Sequence, residues 1–241
     1  MSSKLSLFNF IQRLILGYET EVLTFSQAGE DLVTRNYFYD RLSRGEKGFY
    51  VDIGAFHPYR HSNTYYLYRA GWRGINIDAR PGSMSLFNKF RPDDTNLEIA
   101  ISGKEGISTF FDFGSDSGLN TMSQEYIDKL ETRQNIKSEY SVVTQTMVNI
   151  FTKYIPKDMF IDFLSIDIEG YEEQALSSND WDIYRPEFIA CEIYGKSLSE
   201  ISNDNVSKLL LEKKYELYAR VNLAMPNVNT VFFVDRTSST K

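Results

Sequence analysis

The sequence contains very little cysteine and histidine. Among its 241 residues there is one cysteine, Cys191, and there are two histidines, His57 and His61. A single cysteine excludes an internal disulfide framework and a cysteine-rich zinc site. Cys191 lies in the apolar run 188–192, so we expect it to be a small buried strand residue.

Positive charge and long apolar runs are also scarce. The chain has 26 lysines and arginines against 33 aspartates and glutamates, a net charge of −7. A general nucleic-acid binder needs a basic face to neutralise phosphates, so we expect no nucleic-acid partner. No run approaches the roughly 18 apolar residues that a membrane-spanning helix needs.

The first 18 residues are the one ambiguous segment. Their apolar residues follow helical spacing and predict an amphipathic helix: Leu7, Phe8, Ile11, Leu14 and Ile15. No small-residue cleavage site follows, so we expect a cytoplasmic protein without a signal peptide. The helix is expected to pack on the domain or on a second copy of the chain, and peripheral membrane contact is the alternative.

Apolar runs alternating with helical segments predict an α/β fold with a mostly parallel sheet and helices on both faces. Five runs are predicted parallel strands, namely 49–53, 74–78, 96–101, 163–167 and 188–192, and a long helix is expected over 26–42. Residues 215–221 and 230–235 are predicted to close the sheet as an antiparallel hairpin.

The predicted domain spans residues 24–236, after an N-terminal extension of residues 1–23 and before a disordered tail of residues 237–241. Residues 103–147 interrupt the strand–helix alternation with a β-rich insertion between the third and fourth core strands. Insertions over strand ends commonly form a lid or a substrate wall, and an ornamental hairpin is the alternative.

The first two predicted strands end on acids. The first stops at Asp52 and Gly54, and a glycine in such a turn lets the backbone approach a ligand. The second stops at Asp78, where a carboxylate can accept hydrogen bonds from ribose hydroxyls. Acids that only cap helices or close turns are the alternative. Two acids at matching strand ends favour a nucleoside-type cofactor.

Three further acids are expected at the same edge of the sheet. Asp167 ends the fourth strand, Glu169 follows it, and Glu192 ends the fifth. Close carboxylates repel one another unless a proton or a cation intervenes. Mg²⁺ held by Asp167 and Glu192 is one solution. The other is that backbone amides and basic side chains satisfy the acids without a metal.

His57 follows the first strand end and is a candidate general base, with a capping or packing histidine as the alternative. The sequence has no nucleophile elbow and no phosphate-binding loop with Gly-Lys-Ser/Thr. The first turn carries one glycine instead of the three of a dinucleotide-binding motif, which disfavours a nicotinamide-dependent dehydrogenase.

An ordered set of motifs resembles the FkbM family of S-adenosylmethionine-dependent methyltransferases, within the seven-stranded Rossmann-like class. The motifs are SQAGEDL at 26–32, YVDIGA at 50–55, SNT at 62–64, GWRGINID at 71–78, NLEIAIS at 96–102 and LSIDIEG at 164–170. They fall within residues 24–195. Phe56 and His57 depart from the family pattern, in which many members carry Asn-Ile or Asn-Val and a further glycine.

The resemblance implies that Asp52 and Gly54 line the methionine end of the cofactor, that Asp78 holds the ribose, and that Ala100 and Ile101 flank the adenine. The N-terminal motif, including Ser26, would close over the cofactor. The complete predicted cofactor site is Gln27, Glu30, Asp31, Asp52, Gly54, Ala55, Asn63, Asp78, Ala79, Ala100, Ile101 and Asp167.

The resemblance also implies O-methylation of a hydroxyl on a sugar, whether in a glycan, a glycolipid or a nucleotide-linked sugar. The predicted catalytic residues are His57, Asp167 and Glu169. A polyketide or other small natural product is an alternative acceptor. A non-catalytic cofactor-binding scaffold is the alternative from another class, and N-methylation of RNA is disfavoured by the acidic charge. A homo-oligomer is compatible with all of these.

Overall fold

The computed structural model describes residues 22–129 and 135–237. The predicted N-terminal amphipathic helix and nearly all of the predicted tail therefore lie outside the described residues. In the described residues the strands are β1 Phe49–Ile53, β2 Arg73–Asp78, β3 Thr95–Glu98, β4 Ala100–Ile101, β5 Gly106–Asp112, β6 Ser138–Gln145, β7 Phe163–Ile166, β8 Phe188–Tyr194, β9 Tyr215–Asn222 and β10 Val228–Asp235.

The helices accompany these strands on both faces of the sheet. In the same residues they are α1 Glu30–Tyr37, α2 Tyr39–Ser43, α3 Tyr65–Arg69, α4 Met84–Phe90, α5 Gln124–Lys129, α6 Met147–Tyr154, α7 Glu172–Ser177, α8 Leu198–Asn203 and α9 Asn205–Glu212. The short helix α8 was not predicted from the sequence.

The main sheet has seven strands in the order β3-β2-β1-β7-β8-β10-β9. Strands β3, β2, β1, β7 and β8 pair in parallel, and β10 is antiparallel to both of its neighbours. The seven-stranded, mostly parallel sheet with a closing hairpin is thus confirmed. Its parallel strands all point their carboxyl ends to one edge, which is where the predicted acids lie.

Strand β1, which lies between β2 and β7, is buried along its whole length. Side chains alternate between the two faces of a strand, so Phe49, Val51 and Ile53 enter one hydrophobic core and Tyr50 enters the other. Asp52 therefore shares a face with Tyr50. This alternation decides on which face of the sheet each predicted site residue of the strand lies.

The predicted third strand is divided into two. Residues 95–98 stay in the main sheet beside β2, whereas Ala100 and Ile101 pair with Thr144 and Gln145 of β6. Burial explains the division, because Ala100 finds an apolar partner surface in the insertion, where Phe110, Met122 and Val142 pack around it, while Ile101 enters the main hydrophobic core.

The predicted helix over 26–42 begins later and is also divided. Gly29 caps α1 with a φ of 96°, a conformation that suits glycine. The break comes at Phe38, whose ring is buried against Trp72 at a centroid distance of 4.9 Å. Ser26 is not the helix cap, although its hydroxyl accepts the Asp31 N–H at 3.2 Å.

The insertion is a small sheet, β4-β6-β5, with β5 and β6 antiparallel. Phe111, Phe113 and Ile127 form a hydrophobic cluster of its own. The aromatic side chains of Phe111 and Phe113 in the insertion are thus used for packing. None of the helices in the described residues has both the length and the apolar character needed to cross a membrane.

Candidate active site

A cleft of about 450 Å³ opens at the carboxyl ends of the parallel strands. Its walls come from the ends of β1, β2 and β7, from residues 99–101, from the insertion and from the turn before β10. The lining includes Gln27, Gly54, Phe56, His61, Asp78, Ala79, Ala100, Ile101, Phe110, Asp116, Asn120, Met122, Asp167 and Glu169. Asp78 and Asp167 therefore share one crevice.

Gly54 sits where β1 and β7 come closest at this edge. Its φ is 81°, and a Cβ added there would lie 1.7 Å from the carbonyl oxygen of Asp167. Its N–H donates to the Ile77 carbonyl at 2.9 Å. Glycine is therefore required at this position because two chain segments approach each other closely, and their close approach keeps the crevice narrow.

Asp78 is held rigidly at the end of β2. One carboxylate oxygen accepts the Phe56 N–H at 3.1 Å and the other accepts the Arg80 N–H at 2.8 Å. Burial raises the pKa of Asp78 above its ordinary value, and these backbone donors oppose the shift. A carboxylate has about four lone-pair sites, so both oxygens can still accept hydrogen bonds from the hydroxyl groups of a ligand in the cleft.

Asp52 does not line the cleft, although the sequence placed it at the cofactor. Its side chain accepts the Thr64 hydroxyl at 2.6 Å and is also bonded to Ser165. Asn63 donates to the same Ser165 hydroxyl at 3.2 Å, so it too is turned away from the cleft. The cause is strand alternation, which puts Asp52 on the Tyr50 face. Ala55 is buried against Met84 and Phe87.

The buried network below Asp52 is centred on Arg91, which is fully buried. Its guanidinium donates to Asp94 at 2.9 Å, to the Thr64 hydroxyl at 3.0 Å and to the Tyr50 hydroxyl at 2.6 Å. Burial raises the pKa of Asp52 and the Arg91 charge opposes this. Asp52 therefore anchors the segment that carries Thr64, and this segment leads into the cleft wall.

Asp167, Glu169 and Glu192 converge as the sequence predicted. One carboxylate oxygen from each lies within 4.8 Å of the others. Asp167 and Glu169 line the cleft, and Glu192 lies behind them. The Tyr194 hydroxyl contacts Glu169 at 3.2 Å and Glu192 at 3.3 Å, which ties the two carboxylates together.

The protonation of these acids is shifted by their surroundings. Burial raises the pKa of Glu169 to about 7, and hydrogen bonds from Tyr126 and Tyr194 oppose the shift. Burial, followed by repulsion from Glu169, raises the pKa of Asp167 well above its ordinary value. Burial also raises the pKa of Glu192. The cluster therefore holds at least one exchangeable proton near neutral pH.

His57 was the histidine predicted as a base, but it is His61 that lines the cleft. His57 lies outside the cleft lining, and its Nδ1 accepts the Arg60 N–H at 3.2 Å, which is a capping arrangement. Burial and then the Arg60 charge lower the pKa of His57. His61 lines the cleft and stacks on Phe56 at a centroid distance of 6.1 Å. The sequence indicated His57 because it follows the strand end, and it gave no sign of the turn that brings His61 to the cleft.

The N-terminal motif reaches the cleft only in part. Gln27 lines it, and Glu30 is buried close enough to Asp167 to raise the pKa of Asp167 by repulsion. Asp31 is used inside its own turn, where it accepts the Phe25 N–H at 3.0 Å and the Ser26 hydroxyl at 2.8 Å. It is therefore a structural residue of the segment that delivers Gln27.

One wall of the cleft is apolar. Ala79, Ala100 and Ile101 form it together with Phe110 and Met122. Ala100 and Ile101 line the cleft, the insertion completes the slot, and their predicted contact with an adenine stays a prediction. A flat heteroaromatic ring could be held there by burial of its faces.

Several lining residues were not predicted. They are Phe56 and, in the turn before β10, Ala224 and Met225. Residues 116–122 also line the cleft, and they belong to the insertion for which a lid or a substrate wall was expected. The glycine- and serine-bearing composition of 114–121 was a usable signal for a loop near a ligand. The hairpin turn carried no such signal. A second depression, of about 690 Å³, lies at the opposite edge among residues 178–185 and 212–214 and holds no predicted site residue.

Comparison with protein families gives a match to the methyltransferase FkbM domain over residues 52–217. That range contains most of the cleft and excludes Gln27 and the turn before β10. Comparison with curated proteins gives no match.

Solved structures with a similar arrangement include three methyltransferases. A protein assigned as a type 11 methyltransferase from Sulfolobus solfataricus is 13% identical, with 90% of this chain and 97% of that chain covered and a TM-score of 0.44. The O-methyltransferase from Bacillus cereus in complex with SAH is 11% identical, with coverages of 98% and 92% and a TM-score of 0.40. The 1,6-didemethyltoxoflavin-N1-methyltransferase from Burkholderia thailandensis, with bound 1,6-didemethyltoxoflavin and S-adenosylhomocysteine, is 9% identical, with coverages of 97% and 86% and a TM-score of 0.43.

Proposed function

We propose that this chain, which belongs to the FkbM family of S-adenosylmethionine-dependent methyltransferases, transfers the methyl group of S-adenosylmethionine to a hydroxyl of a sugar. The observation that carries this proposal is the single crevice at the strand ends. It joins a ribose-type acid, Asp78, an apolar slot and the acidic pair Asp167 and Glu169.

The cofactor lies along the crevice in this proposal. Its adenine is held in the slot formed by Ala79, Ala100 and Ile101, and its ribose hydroxyls donate to Asp78. The methionine end lies by Gly54 and Asp167, where the acids favour its ammonium and sulfonium charges. Gln27 covers the cofactor from the N-terminal side.

The reaction is an in-line displacement, and S-adenosylmethionine supplies the activated methyl group. The acceptor oxygen forms a bond to the methyl carbon, and the carbon–sulfur bond breaks, with its electron pair going to sulfur. The hydroxyl proton passes to a base on the enzyme. The products are the methyl ether and neutral S-adenosylhomocysteine.

Glu169 is the base in this proposal. It lines the cleft beside Asp167, and a pKa of about 7 suits proton transfer near neutral pH. Asp167 is the companion acid, which shares a proton with Glu169 or orients the acceptor. His57 was the other predicted base, and its capping bond and its position outside the cleft lining favour the carboxylates.

A divalent cation is the second arrangement that the acid cluster fits. Asp167, Glu169 and Glu192 offer three oxygen ligands within 4.8 Å of one another, a donor set that suits a hard ion such as Mg²⁺. Such an ion would lower the pKa of the acceptor hydroxyl. Loss of activity on chelation, with recovery on adding Mg²⁺, would favour it. Full activity after chelation would leave the proton-sharing arrangement.

The polar side of the cleft favours a polyol acceptor over an apolar natural product. Asp167 and Glu169 offer carboxylate oxygens that can accept hydrogen bonds from the closely spaced hydroxyls of a sugar, whereas the Asn120 and Thr121 side chains are hydrogen-bonded within the protein. A polyketide hydroxyl remains the alternative acceptor, since the opposite wall is apolar. A non-catalytic scaffold would bind the cofactor without forming S-adenosylhomocysteine.

Calorimetric titration with S-adenosylmethionine tests the cofactor site. We expect binding by the parent protein and roughly tenfold or greater weakening in Asp78→Asn, which loses charge-assisted acceptance from the ribose. Asp93→Asn is the matched control, because Asp93 is exposed and pairs with Arg73 at 3.0 Å outside the cleft lining. Equal affinity in Asp78→Asn and the parent would refute the placement.

A further inference from the structure

We infer that the acceptor enters this cleft without a phosphate or other anionic group. A sugar would then be methylated after the glycosyl transfer that releases its nucleotide, not while it is nucleotide-linked. The inference rests on the proposed function and deepens it, because it selects among the acceptor classes that the family resemblance leaves open.

The lining of the cleft is rich in acids and poor in bases. Four carboxylates face the cleft, from Asp78, Asp116, Asp167 and Glu169. Among the described residues no lysine or arginine lines it, and His61 is the one histidine in the lining. An anion placed in this cleft meets Asp78 and the proton-sharing acids Asp167 and Glu169, while Asp116 is paired with Arg60, and it finds no lysine or arginine in the lining to pair with.

The cations nearest the cleft are already committed. The Arg60 guanidinium lies 2.7 Å from the carboxylate of Asp116, and the Arg80 guanidinium lies 3.2 Å from that of the buried Asp112. The ammonium of Lys137 lies against Gly114 in the insertion, outside the cleft lining. A phosphate would have to compete with Asp116 for Arg60 or with Asp112 for Arg80.

A phosphate on the acceptor sugar would lie close to the reaction centre. The reacting hydroxyl must lie beside the methyl group and the acids Asp167 and Glu169. A phosphate on the anomeric carbon of the same pyranose is then within roughly 5–8 Å of those acids, a range at which charges in a protein still interact strongly. The same acids favour the cationic cofactor, so the field that helps S-adenosylmethionine bind opposes a phosphorylated acceptor.

Space supports the same conclusion. The cleft of about 450 Å³ lies in the lower half of the usual range for ligand pockets, about 300–1,000 Å³. A cofactor the size of S-adenosylmethionine fills much of that volume. The remaining space suits one sugar ring better than a sugar with a nucleoside diphosphate attached.

A place in the reaction sequence follows from these steps. The class of reaction that supplies the acceptor is a glycosyl transfer from an activated sugar, which leaves a neutral glycoside. A hydrolysis that removes a sugar phosphate would supply an equally suitable acceptor. In both cases the phosphate has left before methylation.

A panel of acceptors tests the inference on the cofactor-loaded enzyme. Each sugar is offered as its methyl glycoside, as its 1-phosphate and as its uridine diphosphate conjugate, with glucose, galactose and N-acetylglucosamine as the sugars. Release of S-adenosylhomocysteine is measured. We expect kcat/KM for a neutral glycoside to exceed that of its phosphorylated forms roughly tenfold or more. Equal or faster turnover of a phosphorylated form overturns the inference.

A second measurement decides the matter when no sugar of the panel reacts. Inorganic pyrophosphate is titrated to millimolar concentration into the S-adenosylhomocysteine complex, and the amide NMR signals of Gly118 and Asn120 are followed. No saturable shift is expected in the parent. Asp116→Lys frees Arg60 and adds a cation at an exposed position, so we expect this variant to gain binding.

Saturable shifts of Gly118 and Asn120 in the parent would overturn the inference. Failure of Asp116→Lys to gain pyrophosphate binding would overturn its electrostatic basis. Calorimetry with S-adenosylmethionine separates these outcomes from failure of the proposed function. A protein that binds no cofactor contradicts the function, whereas pyrophosphate titrated into the unliganded protein still reports on the cleft charge.

Discussion

At the scale of single residues, the site depends on a few side chains whose surroundings change their chemistry. Glu169 is the clearest case, because burial raises its pKa to about 7 while Tyr126 and Tyr194 hold its carboxylate in place. Glycine at position 54 and arginine at position 91 have a different role. They fix the backbone segments that carry the reacting groups.

Replacing Glu169 with glutamine is expected to lower kcat by roughly 10²- to 10⁴-fold, since proton removal by the base is lost. In the parent, kcat/KM should rise with pH through about 7, because the base must be ionised, and the variant should lack this rise. The affinity for S-adenosylmethionine should change only a few-fold. A variant with the parent's rate and pH profile would remove Glu169 from the mechanism.

Replacing Gly54 with alanine is expected to lower the free energy of unfolding by about 2 kcal/mol or more, because a side chain would be strained at positive φ. The added Cβ would also meet the Asp167 carbonyl, which must shift. Gly82 offers a matched control, since it too has positive φ but has open space around its missing Cβ. Chemical denaturation of both variants measures the difference, and equal losses would contradict the close-approach argument.

Replacing Arg91 with methionine is expected to cost about 3–5 kcal/mol in the free energy of unfolding, because it leaves the buried Asp94 and Asp52 charges without their partner. Arg73→Met is the comparison, since the Arg73–Asp93 pair is exposed and such pairs contribute about 0–1 kcal/mol. A small effect at Arg91 would show that the network does not anchor Asp52.

At the scale of elements, the strand ends could be predicted because buried strands are apolar runs that stop at polar residues. Asp78 and Asp167 were placed correctly on that basis. The divided third strand could not be predicted, since residues 96–101 are one continuous run and only the contacts of Ala100 with the insertion turn its end away. His61 reaches the cleft through a turn with a φ of 54°, which the sequence does not reveal. Strand alternation could have predicted that the Asp52 side chain lies on the same face as Tyr50 and away from the cleft.

The insertion is expected to unfold together with the main sheet. Phe111→Ala should cost about 3–5 kcal/mol, because Phe111 is buried against Phe113 and Ile127. Ile107→Ala on the same strand should change stability by about 0.5 kcal/mol or less, since Ile107 is 76% exposed. Thermal unfolding measures both, and a separate low-temperature transition in Phe111→Ala would show that the insertion is an independent unit.

At the scale of the whole molecule, one edge of the sheet concentrates negative charge in a chain that is already acidic. Asp78, Asp167, Glu169, Glu172 and Glu192 all have raised pKa values, and burial is the first cause in each case. The free protein therefore carries an electrostatic cost that a bound cation relieves. This ties stability, pH and cofactor binding to the same residues.

Stability of the cofactor-free protein is expected to fall as pH rises from about 5 to about 8. Glu169 and Glu172 have folded pKa values of about 7, above those of the unfolded chain. The folded state therefore binds more protons in this interval, and its stability is highest below the unfolded pKa. A loss of roughly 1–3 kcal/mol is expected, smaller in Glu169→Gln. Denaturation at several pH values checks this, and rising stability would contradict the buried acids.

The most direct test of the whole account is a structure of the protein with S-adenosylhomocysteine bound. The account predicts the adenine between Ala79, Ala100 and Ile101, the ribose on Asp78, and the sulfur facing Asp167 and Glu169. S-adenosylhomocysteine found outside this crevice, or with its ribose remote from Asp78, would contradict it.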